Sequence, residues 1–198
     1  MEEAQVTVDG TTYAIPDPFF VIATQNPAGF VGTYPLPEAQ LDRFSLRIRM
    51  GYPTEEEEVA ILRARKSGDP IENVSPVGDE NTVRALIACS EKIRVAPEIE
   101  RYVVSLVAAT RTRPEFSLGA SPRASLALMK LSRAAALLSH RAYVVPEDVA
   151  NLYKETLSHR VCLTREAAAE GKNAEGILDR ILSETPVPFF AKERGRTV

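Results

Sequence analysis

Two side chains stand where their type and position suit chemistry, and a third gains meaning only beside them. Gln25 and then Asn26 follow residues 19–24, a continuous apolar run from Phe19 to Thr24. A run without alternation suits a strand buried on both faces, and ligands bind beyond the carboxyl ends of such strands. An asparagine before Pro27 is also a common loop starter, so a plain turn is the alternative reading. Arg123 lies in Gly119-Ala-Ser-Pro-Arg123, where Ser121 is an N-cap residue and Pro122 the first helical residue. A cation in that first turn opposes the helix dipole, which favours anions by ~0.3–1 kcal/mol at this end. Arginine and helix N-terminus aimed together at a phosphate would account for it. So would an ion pair with a nearby carboxylate. Arg43 lies in Leu41-Asp-Arg-Phe44, at the end of a short helical stretch from about Glu38. Alone it reads as a surface charge beside Asp42.

The elements that must position these groups fall into two unlike halves. Residues 5–15 read as a hairpin: Val6 and Val8 alternate with polar neighbours, Asp9-Gly10 is a type I′ turn signal, and Tyr13 and Ile15 carry the return strand. The strand at 19–24 follows. Residues 44–50 alternate Phe44, Leu46, Ile48 and Met50 with polar residues, the period of a strand with one wet face. From Thr54 onward nearly everything reads as helix. Thr54 and Glu57 form a capping box for a helix over 55–66, with Val59, Ile61 and Leu62 inward. Helices are expected over 81–93, with Val83, Leu86 and Ile87 on the packed side, and from Pro97 to about 111. A loop is expected at 112–119. A helix from Ser121-Pro122 follows, with Leu128, Leu131, Ala135 and Leu138 as its core stripe. Pro146-Glu-Asp opens another, to 157 or 159, and a short one is expected at 174–183.

Totals exclude several functions. With 198 residues, 44% hydrophobic and 26% charged, the chain suits one globular domain or two small ones. A formal net charge of -3 gives no electrostatic footprint for nucleic acid. No apolar stretch approaches the ~20 residues of a membrane helix, and the acidic start carries no apolar segment of a secretory signal. The only cysteines, Cys89 and Cys162, lie in apolar or helical surroundings, which predicts buried free thiols and a cytoplasmic setting. His140 and His159 have no cysteine at ligand spacing, so a zinc site is not expected. Ser105, Ser125 and Ser132 lack a Gly-x-Ser-x-Gly context, and Glu55-Glu-Glu-Glu58 reads as a solvated face at a helix start.

Ala23-Thr-Gln-Asn-Pro27, followed by Gly32-Thr-Tyr-Pro-Leu-Pro-Glu-Ala-Gln-Leu-Asp-Arg-Phe44, resembles the MoxR family of AAA+ ATPases. The likeness continues to near the C-terminus and covers the second half of that family's ATPase module. It implies roles for the three residues. Asn26 matches the sensor-1 residue that positions the attacking water. Arg43 matches the arginine finger, which acts in trans on nucleotide held by a neighbouring subunit. Arg123 matches the sensor-2 arginine of the helical lid and would contact ATP. The loop at Ala28-Gly-Phe-Val31 departs from the family, where a glutamate-containing stretch is more usual.

The resemblance also implies a fold: an α/β remnant of an AAA+ core at 1–53 (two strands plus a β-hairpin), an all-α lid domain at 54–160, and a C-terminal extension at 161–198, mainly helical overall. In the family's sheet order, 5-1-4-3-2, the two strands flank the phosphate-loop strand. No Gly-x-x-x-x-Gly-Lys-[Ser/Thr] is present, and no apolar strand ends in paired acids for Mg²⁺. The expectation is therefore a C-terminal part of such a protein, which alone neither binds ATP and Mg²⁺ tightly nor hydrolyses ATP. It also leaves the strand at 19–24 with its apolar side chains uncovered. The implied partners are copies of itself in a ring, a hexamer by analogy with the family, and von Willebrand factor A domain proteins, in chaperone-like remodelling. A non-enzymatic interaction module, an orphan lid, is the alternative.

Overall fold

The computed structural model describes residues 5–25 and 36–189. Strands β1 (Gln5–Val8) and β2 (Thr11–Ala14) pair antiparallel with Val8 opposite Thr11. Asp9 and Gly10 both take positive φ, 49° and 78°, as the type I′ turn requires. A short helix α1 (Glu38–Leu41) follows, then α2 (Glu55–Ala64), α3 (Glu80–Glu91) and α4 (Pro97–Ala109). Strand β3 (Phe116–Leu118) leads into α5 (Pro122–Leu138) and α6 (Pro146–Leu157). Strand β4 (Cys162–Leu163), α7 (Arg165–Ala169) and α8 (Ala174–Glu184) complete the described chain. The mainly helical class expected from the sequence is what the chain adopts.

Most helix starts follow local chemistry. Prolines occupy the first position of α4, α5 and α6, where the missing N–H costs nothing. Thr54 and Glu57 close a reciprocal capping box on α2, and these bonds hold the Glu57 carboxyl below its usual range. Asp79 and Thr82 do the same for α3.

One core runs from Ile93 to Ile181. Helix α4 buries Ile99, Tyr102, Val103, Leu106 and Val107, the stripe of an amphipathic helix. Helix α5 packs chiefly on α6, and α8 adds Ile177, Leu178 and Ile181 beneath α4 and α6. The small antiparallel pair β3–β4 closes one end, with Phe116 opposite Leu163.

Several expectations need correction. Residues 19–24 and 44–50 carry no strand ladder; a ladder needs a neighbouring backbone, and among the described residues neither segment has one. Phe20 and Ile22 are accordingly exposed, at 84% and 80%. Val59, Ile61 and Leu62 of α2, and Val83, Leu86 and Ile87 of α3, point to solvent rather than inward. Their period marks a face; α3 meets α5, yet among the described residues neither helix buries a side chain. The buried stripe of α5 is Ala124, Leu128, Ser132 and Ala136, while Leu138 is exposed. Small residues there let α5 approach α6 and α4 closely, which a search for large side chains overlooks. The segment expected as a loop at 112–119 contains β3, and α7 was not foreseen. Cys89 is exposed, not buried; Cys162 is half-buried.

Candidate functional site

The approach to α5 is fixed from beneath by the end of α4. Buried Thr110 donates its hydroxyl to the Val107 carbonyl (2.6 Å) and accepts from the Ala120 amide (2.9 Å). The Arg111 Nε donates to the Ala120 carbonyl at 2.8 Å. Gly119 passes so close that a Cβ would lie 2.7 Å from the Arg111 Cα and 2.8 Å from the Thr110 oxygen. Only glycine fits this crossing, and the crossing sets where Ser121 and Arg123 emerge.

Ser121 is the N-cap of α5, as its type predicts, but its hydroxyl does not cap the helix. It donates instead to Asp42 Oδ2 at 3.2 Å. The Arg123 guanidinium lies 3.5 Å from the same oxygen. The carboxylate pairing left open by the sequence is therefore present, and its partner is the residue beside Arg43. Two candidate regions almost eighty positions apart in the chain meet at one carboxylate. Arg43 itself is exposed, on the turn that follows α1. Asn26 lies outside the described residues.

A second arginine holds Asp42 from the other side. Arg160, with its side chain only 1% exposed, donates Nε to Asp42 Oδ1 at 3.0 Å. One terminal nitrogen donates to the carbonyls of Ser45 and Thr156, the other to those of Asp42 (3.1 Å) and Phe44 (2.6 Å). Burial pulls the Arg160 pKa down, and the Asp42 carboxylate opposes that pull. The adjacent His159 reaches the Phe44 carbonyl through Nε2 at 3.0 Å. An acceptor there requires the Nε2–H form, which leaves Nδ1 buried without a hydrogen-bond partner. Burial is the main reason its pKa falls to about 4; Arg160 and Arg47 add to the fall, and the Phe44 bond resists it.

The rest of this segment is fastened to the same region. The Arg47 amide donates to the Glu155 carbonyl at 2.8 Å, and its guanidinium reaches the Ser158 hydroxyl at 3.3 Å. Arg49 pairs with Glu175 of α8 at 2.9 Å. Cys162 lies against Glu38 of α1, and burial first, then that carboxylate, raises its thiol to about 11. Burial and the carboxylate both favour its protonated form. Sequence reasoning missed Arg160 and Ser121 as partners of Asp42. The available signal was faint: a polar pair, His159-Arg160, set between Leu157 and Val161, both of which are buried.

Among the described residues no group of three or more His, Cys, Asp or Glu is gathered to hold a metal ion. The donors that converge are cationic or hydroxylic, and they suit an anionic oxygen rather than a cation. No described helix is long and apolar enough to cross a membrane.

Two family descriptions match the chain: the ATPase family associated with various cellular activities (AAA) over residues 1–46, and the AAA lid domain over residues 108–181. The Bacillus subtilis protein YeaC is 48% identical over 188 residues, covering 95% of this chain and 59% of YeaC. The Mycobacterium tuberculosis chaperone MoxR1 is 38% identical over 199 residues, covering 95% of this chain and 52% of MoxR1. Protein MoxR of Methylorubrum extorquens is 30% identical, covering 91% of this chain and 57% of its own length. A crystal structure of a candidate ATPase from Cytophaga hutchinsonii superimposes with a TM-score of 0.86 at 34% identity, over 95% of this chain and 60% of that one. The chain thus spans between half and three-fifths of the length of these relatives. Matched in its opening AAA segment and in its helical lid, it belongs to the MoxR family of AAA+ ATPases.

Proposed function

We propose that the chain supplies the sensor, arginine-finger and lid groups of a MoxR-type ATPase that remodels or matures partner proteins in the manner of a chaperone. The observation that supports this most is the meeting of Asp42, Ser121 and Arg123, which seats the turn bearing Arg43 against the start of α5. Arg123 and the helix N-terminus suit a phosphate of ATP, and Mg²⁺ would neutralise the charge on the phosphates when bound. Asn26 would orient the attacking water. Arg43 would reach nucleotide on a neighbouring copy in a ring, a hexamer, and a planar guanidinium suits charge developing on the transferred phosphoryl group. Proteins with von Willebrand factor A domains are the expected partners, and the cytoplasm the expected setting.

Calorimetry with ATP and Mg²⁺ is the first test. The sequence contains no phosphate-cradling loop, so no tight binding by this chain alone is expected. Micromolar binding would overturn the roles given to Asn26 and Arg123. The second test replaces the matching 188 residues of YeaC with this chain and measures phosphate release. Arg43→Ala is expected to lower turnover by roughly 10³-fold or more while nucleotide binding persists. Unchanged turnover would remove Arg43 from the mechanism.

A non-enzymatic interaction module is the second reading. The exposed apolar side chains of α2 and α3, among them Leu62 at 68% and Leu86 at 52%, favour it. A YeaC replacement that releases no phosphate in any variant would select it.

A further inference from the structure

A guanidinium offers five N–H donors in a fixed fan. In Arg160 all five are engaged: one from Nε to the Asp42 carboxylate, two to the Ser45 and Thr156 carbonyls, and two to the Asp42 and Phe44 carbonyls. Four of these five bonds end on the stretch 42–45, and the fifth ends on α6. The Phe44 carbonyl also accepts from His159. The turn carrying Arg43 is thus built onto the end of α6, although it lies more than a hundred residues away in sequence. The other oxygen of Asp42 faces Ser121 and Arg123 at the start of α5.

We propose that Asp42 and Arg160 are positioning residues for Arg43, joining its turn to the helical body and, through the second Asp42 oxygen, linking the placement of Arg43 to that of Arg123. If Arg123 leaves Asp42 for an anionic phosphate, the carboxylate loses one cation on the side of α5 and keeps the other on the side of α6. The turn beside it then resettles. A residue that reads nucleotide in its own subunit would in this way adjust the residue offered to the next. This link rests on the phosphate-facing reading of Arg43 and Arg123; the fastening of the turn by Arg160 does not.

Hydrogen exchange on the whole chain tests the fastening. The amides of Asp42, Arg43 and Phe44 are bonded within the turn, and that of Arg47 to Glu155. Asp42→Asn keeps size and an acceptor but removes the charge. It is expected to speed exchange at residues 41–47 by about tenfold, the loss of one charge-assisted bond, with α4 and α8 unchanged. Arg160→Lys keeps the charge and loses most of the fan, so it is expected to give the same local pattern. Arg123→Gln is expected to give a smaller rise confined to 41–44. Unchanged exchange at 41–47 in Asp42→Asn would overturn the proposal. So would a rise spread evenly through α4, α5 and α8, which would mark a general structural tie. Should Arg160→Lys fail to fold, Asp42→Asn decides alone. No change in Arg123→Gln would remove the link to α5.

In the YeaC replacement, Asp42→Asn is expected to lower kcat with KM unchanged and to add nothing to Arg43→Ala. Additive losses would overturn the positioning role. If Arg43→Ala itself has no effect while Asp42→Asn still loosens 41–47, the phosphate-facing reading fails and the fastening stands.

Discussion

His159 carries the plainest pH signature in the chain. Its neutral ring is buried beside two arginines, and its folded pKa of about 4 lies below the ordinary 6.5. Between those values the unfolded chain binds the extra proton, so stability rises with pH through this window. The contribution is complete above 6.5 and is lost as pH falls toward 4, at about 1.4 kcal/mol per pH unit. Urea unfolding across that range should show this slope. His159→Gln, whose amide can still donate to the Phe44 carbonyl, should flatten it; an equal slope in the variant would place the titration elsewhere. Legibility at this scale was uneven. Arg123 could be read because proline and serine fix its place in a helix. Arg160 could not, because its partners are carbonyls brought near by the fold. No spacing in the sequence encodes them.

Elements were more readable than their neighbours. Prolines at 97, 122 and 146 and the Thr54–Glu57 box mark helix starts without any tertiary information. Asp9-Gly10 likewise dictates its own turn. The pair β3–β4 escaped because strands of three and two residues carry no measurable period, and their partners lie more than forty positions apart in the chain. Gly119→Ala tests the close crossing at the end of α4. Its Cβ would meet main-chain atoms of Thr110 and Arg111 that cannot rotate away. A loss of about 1–3 kcal/mol in unfolding free energy is expected, typical of overpacking against backbone. Calorimetric melting would detect it, and a neutral result would mean the α4–α5 corner relaxes freely.

Across the whole molecule, burial is lopsided. Every residue of the core cluster lies between Ile93 and Ile181, whereas α2 and α3 bury none. Exposed backbone hydrogen bonds with few apolar contacts open first. Brief trypsin digestion should therefore cut at Arg63, Arg65 or Lys66 before any site within 97–184. The order of fragments by mass spectrometry checks this, and early cleavage inside α4 or α5 would contradict it. The same asymmetry explains the misjudged faces of α2 and α3. A sequence shows that a helix has an apolar side, but which surface meets it is a property of the complete assembly.

The grip of Arg160 has a consequence for which sequences can replace this one. Four of its five donors end on main-chain oxygens, which every amino acid supplies. Phe44, Ser45 and Thr156 are therefore free to vary without weakening it, provided their backbone keeps its path. Asp42 and Arg160 have no such freedom. Losing the arginine strands several buried carbonyls at once, and losing the aspartate strands a buried cation, so neither has a one-step route to a neutral substitute. Tolerance to mutation around Arg43 should thus be sharply uneven from one residue to the next.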